Sequence, residues 1–154
     1  MVSFRTIALW ATSALAAALS ERQIDIPDDW TWSVENWHAG CQRTCYYNFN
    51  VTIPSIEGQV LGAKAYCSGA ESDDRFVHCQ ILEGANNPVA AKLLARPEGG
   101  NGGVPQQFAV SFQKSSYEGS PAYNFTAYNS TTYNAFVAPL MNFDMKPTEV
   151  LGTL

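Results

Sequence analysis

The stretch from Cys45 to Ile53 constrains the fold of this chain more than any other, because its apolar and polar side chains alternate strictly. The apolar set comprises Cys45, Tyr47, Phe49, Val51 and Ile53. A period of two places alternate side chains on opposite faces of an extended strand. The stretch therefore predicts a β-strand with one face turned toward a core.

The same alternation recurs along the chain. Apolar rows are formed by Trp30/Trp32/Val34, Leu61/Ala63/Ala65/Cys67, Val77/Cys79/Ile81, Phe108/Val110/Phe112 and Tyr123/Phe125/Ala127, and a last strand is predicted over Phe143 to Val150 with Pro147 at an edge or bend. Residues 89–95 fit either a short helix or a buried strand, and the Gly-rich residues 98–105 predict a loop. About eight short strands with no long amphipathic helix predict an all-β fold, a single antiparallel β-sandwich or barrel over residues 30–154.

The N-terminus predicts a secretory signal. Residues 1–5 carry one positive charge, residues 6–19 are apolar, and the alanines up to Ala18 provide a cleavage site, with Ser20 as a second candidate. The apolar run is too short for a membrane span, and no second run of about 18 apolar residues follows. We therefore expect a signal at 1–18, a flexible lead-in at 19–29, no membrane span and a secreted, extracellular protein.

Four cysteines in an exported chain predict two disulfides. Cys67 and Cys79 flank a polar segment that predicts a hairpin turn, which favours their pairing. Cys41 and Cys45 then form the other bond, which requires a bent loop. A crossed arrangement of the four is the alternative. The chain has no C-x-x-C motif and two histidines, so we expect no metal and no cofactor.

The net charge of the chain limits the kinds of partner that we expect it to bind. The formal net charge is −5, and loss of Arg5 with the signal makes the mature chain more acidic still. Binding to nucleic acid or to an anionic membrane needs clustered Lys and Arg, whereas the basic residues here are scattered. We therefore expect no nucleic-acid partner.

No residue pattern predicts catalysis. His38 and His78 are interpreted as surface residues, since no Gly-x-Ser-x-Gly motif accompanies them. The adjacent carboxylates Asp28-Asp29 and Asp73-Asp74 are not interpreted as a catalytic pair, because adjacent carboxylates point to opposite faces in a strand and are usually solvated in a turn. We expect no catalytic residue.

Two other sets of residues concern the surface of the protein: the glycosylation sequons and the aromatic side chains. The N-x-[ST] sequons predict glycosylation at Asn50, Asn124 and Asn129, with Asn50 and Asn124 on the polar faces of predicted strands. Trp30 and Trp32 share strand parity, which indicates a core position. The aromatic residues expected at an exposed binding surface are Trp37, Tyr117, Tyr128 and Tyr133.

Several of these features together resemble a fungal family. They are the export signal, the motif Trp32-x-Val34-x-Asn36-Trp37, the strand Cys45-Tyr46-Tyr47-x-Phe49-x-Val51, the cysteines Cys67 and Cys79, and the closing run Phe143-x-Met145-Lys146-Pro147-Thr148-Glu149-Val150. The chain resembles the small secreted cysteine-containing proteins of filamentous ascomycete fungi. It is also distantly similar to the Alternaria major-allergen family of β-barrel proteins.

The resemblance implies a non-enzymatic secreted protein whose relatives act at the fungus–plant boundary as effectors or elicitors. The allergen family is associated with an N-terminal cysteine that links dimers. This chain departs from that pattern with an even cysteine count and a C-x-x-x-C start, so we expect a monomer.

The leading hypothesis is a secreted effector or elicitor that binds a host plant protein without catalysis and modulates immunity or cell death. Action outside host cells and entry into them are both compatible with it. One alternative is a secreted module that binds cell-wall carbohydrate or a small ligand through an aromatic row or a barrel mouth. A second alternative is a secreted hydrolase or inhibitor, which needs a cleft containing His78 or paired carboxylates.

Overall fold

The chain folds into ten β-strands, and no helix occurs in the residues that this computed structural model describes. The described residues are 24–41, 43–71, 75–84, 87–94, 106–116, 121–132, 134 and 137–153. The strands are β1 (Trp32–Cys41), β2 (Cys45–Ile53), β3 (Ala63–Ala70), β4 (Val77–His78), β5 (Gln80–Glu83), β6 (Val89–Leu93), β7 (Gln106–Lys114), β8 (Ala122–Thr131), β9 (Met141–Met145) and β10 (Pro147–Thr153). Within the same residues, no helix has the length and apolarity that crossing a bilayer requires.

The strands form two antiparallel sheets of five strands each. The first sheet has the order β5-β3-β2-β1-β9, and the second has the order β10-β8-β7-β6-β4. Strand β3 contacts β6 across the interior, and β8 contacts β9. The all-β antiparallel prediction is confirmed, and of the two architectures expected from the sequence the structure is a sandwich.

Two of the passages of the chain from one sheet to the other are corners of a single residue. Cys79 separates β4 of the second sheet from β5 of the first, and Lys146 separates β9 of the first sheet from β10 of the second. Two strands predicted as continuous are therefore each split in two, which explains why ten strands replace about eight. Pro147 begins an edge strand, where its missing N–H breaks no ladder.

Three details of the predicted rows are corrected. Val77 and Ile81 do not face the core as one row: they lie in different sheets, and both are exposed at the corner. Leu61 is exposed because it precedes β3, and the buried row begins at Ala63. The ambiguous segment at 89–95 forms the buried strand β6 up to Leu93. The predicted signal at 1–18 and the predicted loop at 98–105 lie outside the described residues.

Aromatic side chains fill the space between the sheets. Trp30 and Trp32 are buried as predicted, with their ring centroids 5.7 Å apart in an edge-to-face arrangement. The Trp30 indole N–H donates to the carbonyl oxygen of Pro54. From the lead-in, Ile24 and Ile26 also pack against this core.

The predicted disulfide pairing is confirmed. Cys41 is bonded to Cys45 at the turn between β1 and β2, and Cys67 is bonded to Cys79. Cys67 is fully buried in β3, whereas Cys79 is half-buried at the corner. The second bond therefore attaches the corner between β4 and β5 to an interior strand.

Candidate functional site

Trp37 is not part of an exposed surface, contrary to the sequence prediction. Its exposed fraction is 0%, and its ring centroid lies 4.4 Å from that of Phe108. The cause is a β-bulge: the register between β1 and β2 shifts by one residue between Glu35 and His38. Glu35 and Asn36 both point outward, and Asn36 has a φ of 57°. The extra residue reverses the parity of the strand and turns Trp37 inward.

Of the predicted surface tyrosines, the structure places Tyr128 at the surface. It lies in β8 with an exposed fraction of 40%, and its hydroxyl donates to Glu149 Oε2 at 3.0 Å. Tyr117 and Tyr133 lie outside the described residues. The four predicted contact residues therefore do not come together as one described surface.

A different exposed apolar surface lies at the corner between the sheets. We call residues 76–83 the corner segment. Phe76, Val77, Ile81 and Leu82 are all exposed, with Leu82 reaching 53%. Within the described part of the chain, β4 pairs with β6 and β5 pairs with β3, so each of them has one strand neighbour there. Apolar side chains thus flank the unpaired backbone of two edge strands.

The two edges of the sandwich differ in how they are protected. Natural edge strands discourage pairing with other chains by means of Lys, Pro or other charged side chains. The β9–β10 edge has Asp144, Lys146 and Pro147. The corner segment has one charged residue, Glu83, and its carboxylate is engaged by Lys64 Nζ at 2.9 Å. The corner segment therefore contains fewer charged residues of its own than the β9–β10 edge.

The Cys67–Cys79 bond limits the movement of this edge. It joins the corner to β3, and the Cys79 backbone N–H donates to the carbonyl oxygen of Val89 at 2.8 Å. The corner is thus attached to both sheets at one residue. A surface held in this way loses little conformational entropy when it binds a partner.

The two histidines considered for catalysis lie in different sheets, His38 in β1 and His78 in β4. His38 is half-buried and its Nδ1 lies 3.1 Å from the Asn48 amide nitrogen, while His78 is exposed at the corner. Asp73 and Asp74 lie outside the described residues. In the part of the chain that the structure describes, no group of three His, Cys, Asp or Glu residues could hold a metal ion.

The three sequon asparagines occupy different environments. Asn50 lies on the outer face of the first sheet, opposite Glu35 in β1 and Tyr66 in β3. Asn124 lies on the outer face of the second sheet, and its Oδ1 accepts a hydrogen bond from Ser111. Asn129 is paired with the core residue Phe108, which places it on the inner side of β8.

Sequence reasoning missed the corner segment because the row of Val77, Cys79 and Ile81 has the parity of a core-facing strand. One signal was present. Ile81 and Leu82 are adjacent, so one strand carries apolar side chains on both faces, which a strand with one buried face does not require.

Comparison with known proteins gives no relative: the chain matches no family model, no curated protein and no solved structure.

Proposed function

We propose that this chain is a secreted, non-catalytic binding protein of the effector or elicitor type, and that its corner segment contacts a host plant protein. The observation that carries the proposal is the exposed apolar edge formed by Phe76, Val77, Ile81 and Leu82. Exposed apolar groups beside unpaired strand backbone are a template for another polypeptide. The predicted export signal supplies the extracellular context.

The chemistry of the edge favours a protein partner. Unpaired N–H and C=O groups on β5 can pair with an extended segment of a second chain, as in recognition by strand addition. The apolar side chains of Ile81 and Leu82 then provide pockets for alternate side chains of that segment. The partner we propose presents an extended segment with apolar side chains.

The test is infiltration of the purified, oxidised mature protein into leaves, with cell death and the oxidative burst as readouts. We expect a response from the wild-type protein and its loss in the double variant Phe76→Glu/Leu82→Glu. Both positions are exposed, so the charges disturb the surface rather than the core. Reduced and alkylated protein serves as the unfolded control.

Leu151→Glu is the matched control, because Leu151 is 62% exposed on the opposite edge. It should retain the full response. A corner variant as active as Leu151→Glu would show that the corner segment is not the contact surface. Absence of a response from the wild-type protein would reject the elicitor function.

One observation favours the alternative of a carbohydrate-binding module. The outer face of the first sheet presents Tyr46 and Tyr66 with the amides of Asn48 and Asn50 between them, and such rings and amides can bind sugars. The alternative predicts sedimentation of the protein with chitin or glucan, and loss of that binding in Tyr66→Ala.

A further inference from the structure

Asn50 lies at the centre of an open, polar sheet face. Strand β2 is the middle strand of the first sheet, and the sequon Asn50-Val51-Thr52 lies within it. Phe49 and Val51 point into the core, so Asn50 and Thr52 point outward. Among the described residues, none forms a hydrogen bond with the Asn50 side chain, so its amide nitrogen can be substituted without loss of an internal contact.

Tyr66 lies directly across from Asn50 in β3. Side chains opposite each other in an antiparallel pair have Cβ atoms about 5 Å apart, which is within reach of an aromatic ring. Tyr66 is 37% exposed, so one part of its ring is available on the outer face. The C–H groups on one face of a pyranose ring pack well on such an aromatic surface.

The other two sequons lack this arrangement. Asn124 is paired with Leu151 on β10 and Gln113 on β7, so it has no aromatic residue directly opposite. Asn129 shares the inner side of β8 with core residues, and a glycan there would have to occupy space at the end of the sandwich. The structure therefore distinguishes Asn50 from Asn124, although the sequence places both on polar strand faces.

We propose that Asn50 carries an N-linked glycan whose first N-acetylglucosamine packs on the ring of Tyr66 and covers the centre of the first sheet's outer face. The sugar is donated by the lipid diphosphate oligosaccharide of the secretory pathway. The Asn50 amide nitrogen forms a bond to C1 of the first sugar and loses a proton, the C1–O bond to the diphosphate breaks, and the lipid diphosphate leaves with the electron pair. No oxidant or reductant is needed.

This inference does not rest on the corner segment. The glycan would occupy the outer face of the first sheet, whereas the proposed contact surface is the edge at residues 76–83. It does oppose the carbohydrate-binding alternative, because the protein's own glycan would cover Tyr66.

Occupancy is tested on the full chain expressed in a glycosylating yeast and purified from the medium. Tryptic cleavage after Arg43 and Lys64 isolates residues 44–64, which contain Asn50 and neither of the other sequons. We expect this peptide to carry N-acetylglucosamine after endoglycosidase treatment, and Thr52→Ala to abolish the modification. An unmodified 44–64 peptide in the folded, secreted protein would overturn the proposal.

Packing on Tyr66 is tested by a double-mutant cycle read as the melting temperature. Tyr66→Ala should lower the melting temperature of the protein glycosylated at Asn50 by about 3 °C more than that of Asn50→Gln, which lacks the glycan. The matched control is the cycle of Leu151→Ala with Asn124→Gln, for which we expect additive shifts. Additive shifts for Tyr66 and Asn50 as well would show that the sugar does not contact the ring.

Discussion

Tyr47 connects the two sheets through a single side chain. It points inward from β2, and its hydroxyl donates to the carbonyl oxygen of Ala91 in β6 at 2.9 Å. Gly69 makes room for this contact, because a Cβ atom at position 69 would lie 2.6 Å from the Tyr47 hydroxyl oxygen. Burial of the phenol raises its pKa from 10.0 to about 12.

The raised pKa of Tyr47 predicts a specific alkaline instability. The folded state holds the phenolic proton more tightly than the unfolded chain does. The associated stability is therefore fully present below pH 10 and is lost as the pH rises toward 12. We expect the free energy of unfolding to fall by about 1 kcal/mol per pH unit in this range. Urea titrations at several pH values measure it.

Tyr47→Phe is the control for the alkaline prediction. It removes the titrating group, so its stability should decline less steeply between pH 10 and 12 than that of the wild-type protein, although it is less stable at neutral pH. Parallel declines for the two proteins would assign the alkaline loss to other groups.

Trp37 provides a direct test of the bulge in β1. Since its ring is fully buried against Phe108, Trp37→Ala should lower the free energy of unfolding by about 3–5 kcal/mol. Tyr128→Ala removes an aromatic ring from the surface instead and should cost less than about 1 kcal/mol. Urea unfolding compares the two, and equal costs would contradict the buried position of Trp37.

At the scale of the element, Asn134 completes the pairing of β1. Strand β9 pairs with β1 no further than Trp37, which is opposite Met141. Beyond that point, Asn134 Oδ1 accepts from the Ala39 N–H and its Nδ2 donates to the Trp37 carbonyl oxygen. The Asn134 backbone N–H also donates to the carbonyl oxygen of Ala39. One buried amide thus replaces a missing stretch of strand.

Asn134→Ala should therefore lower the free energy of unfolding by about 2–3 kcal/mol, because two buried backbone groups of β1 lose their partners. Asn142→Ala is the matched control. Its Oδ1 accepts from the Asn36 N–H at 2.8 Å at an exposed position, where water can replace it. We expect a loss below about 1 kcal/mol in urea unfolding for Asn142→Ala. A cost for Asn134→Ala as small as this would contradict its role in β1.

At the scale of the element, local alternation could be predicted from the sequence, whereas changes of register and of sheet could not. Period-two alternation is a local property, so it located β2 and β7, and the polar segment between Cys67 and Cys79 indicated their pairing. The bulge at Asn36 and the corners at Cys79 and Lys146 depend on which strands become neighbours in space. Regular alternation does not by itself mark such a change of sheet, and the local signs here are Pro147 and the adjacent Ile81 and Leu82.

At the scale of the whole molecule, the exposure of the candidate site residues also depends on which strands become neighbours in space. The sequence predicts Trp37 at an exposed binding surface, and the bulge in β1 turns it into the core instead. The row of Val77, Cys79 and Ile81 is predicted to face the core from its parity, but the change of sheet at Cys79 removes the basis for that prediction. Exposure at an edge is a property of the assembled sandwich rather than of residues 76–83 alone.

The Cys67–Cys79 bond has a consequence for the resistance of the protein to proteases. A peptide bond cut between Cys67 and Cys79 leaves two fragments that remain covalently joined by the disulfide. The fragment edges also remain hydrogen-bonded, β3 to β2 in one sheet and β6 to β7 in the other. A single cut in this segment therefore releases no fragment, and the two layers stay joined through the disulfide.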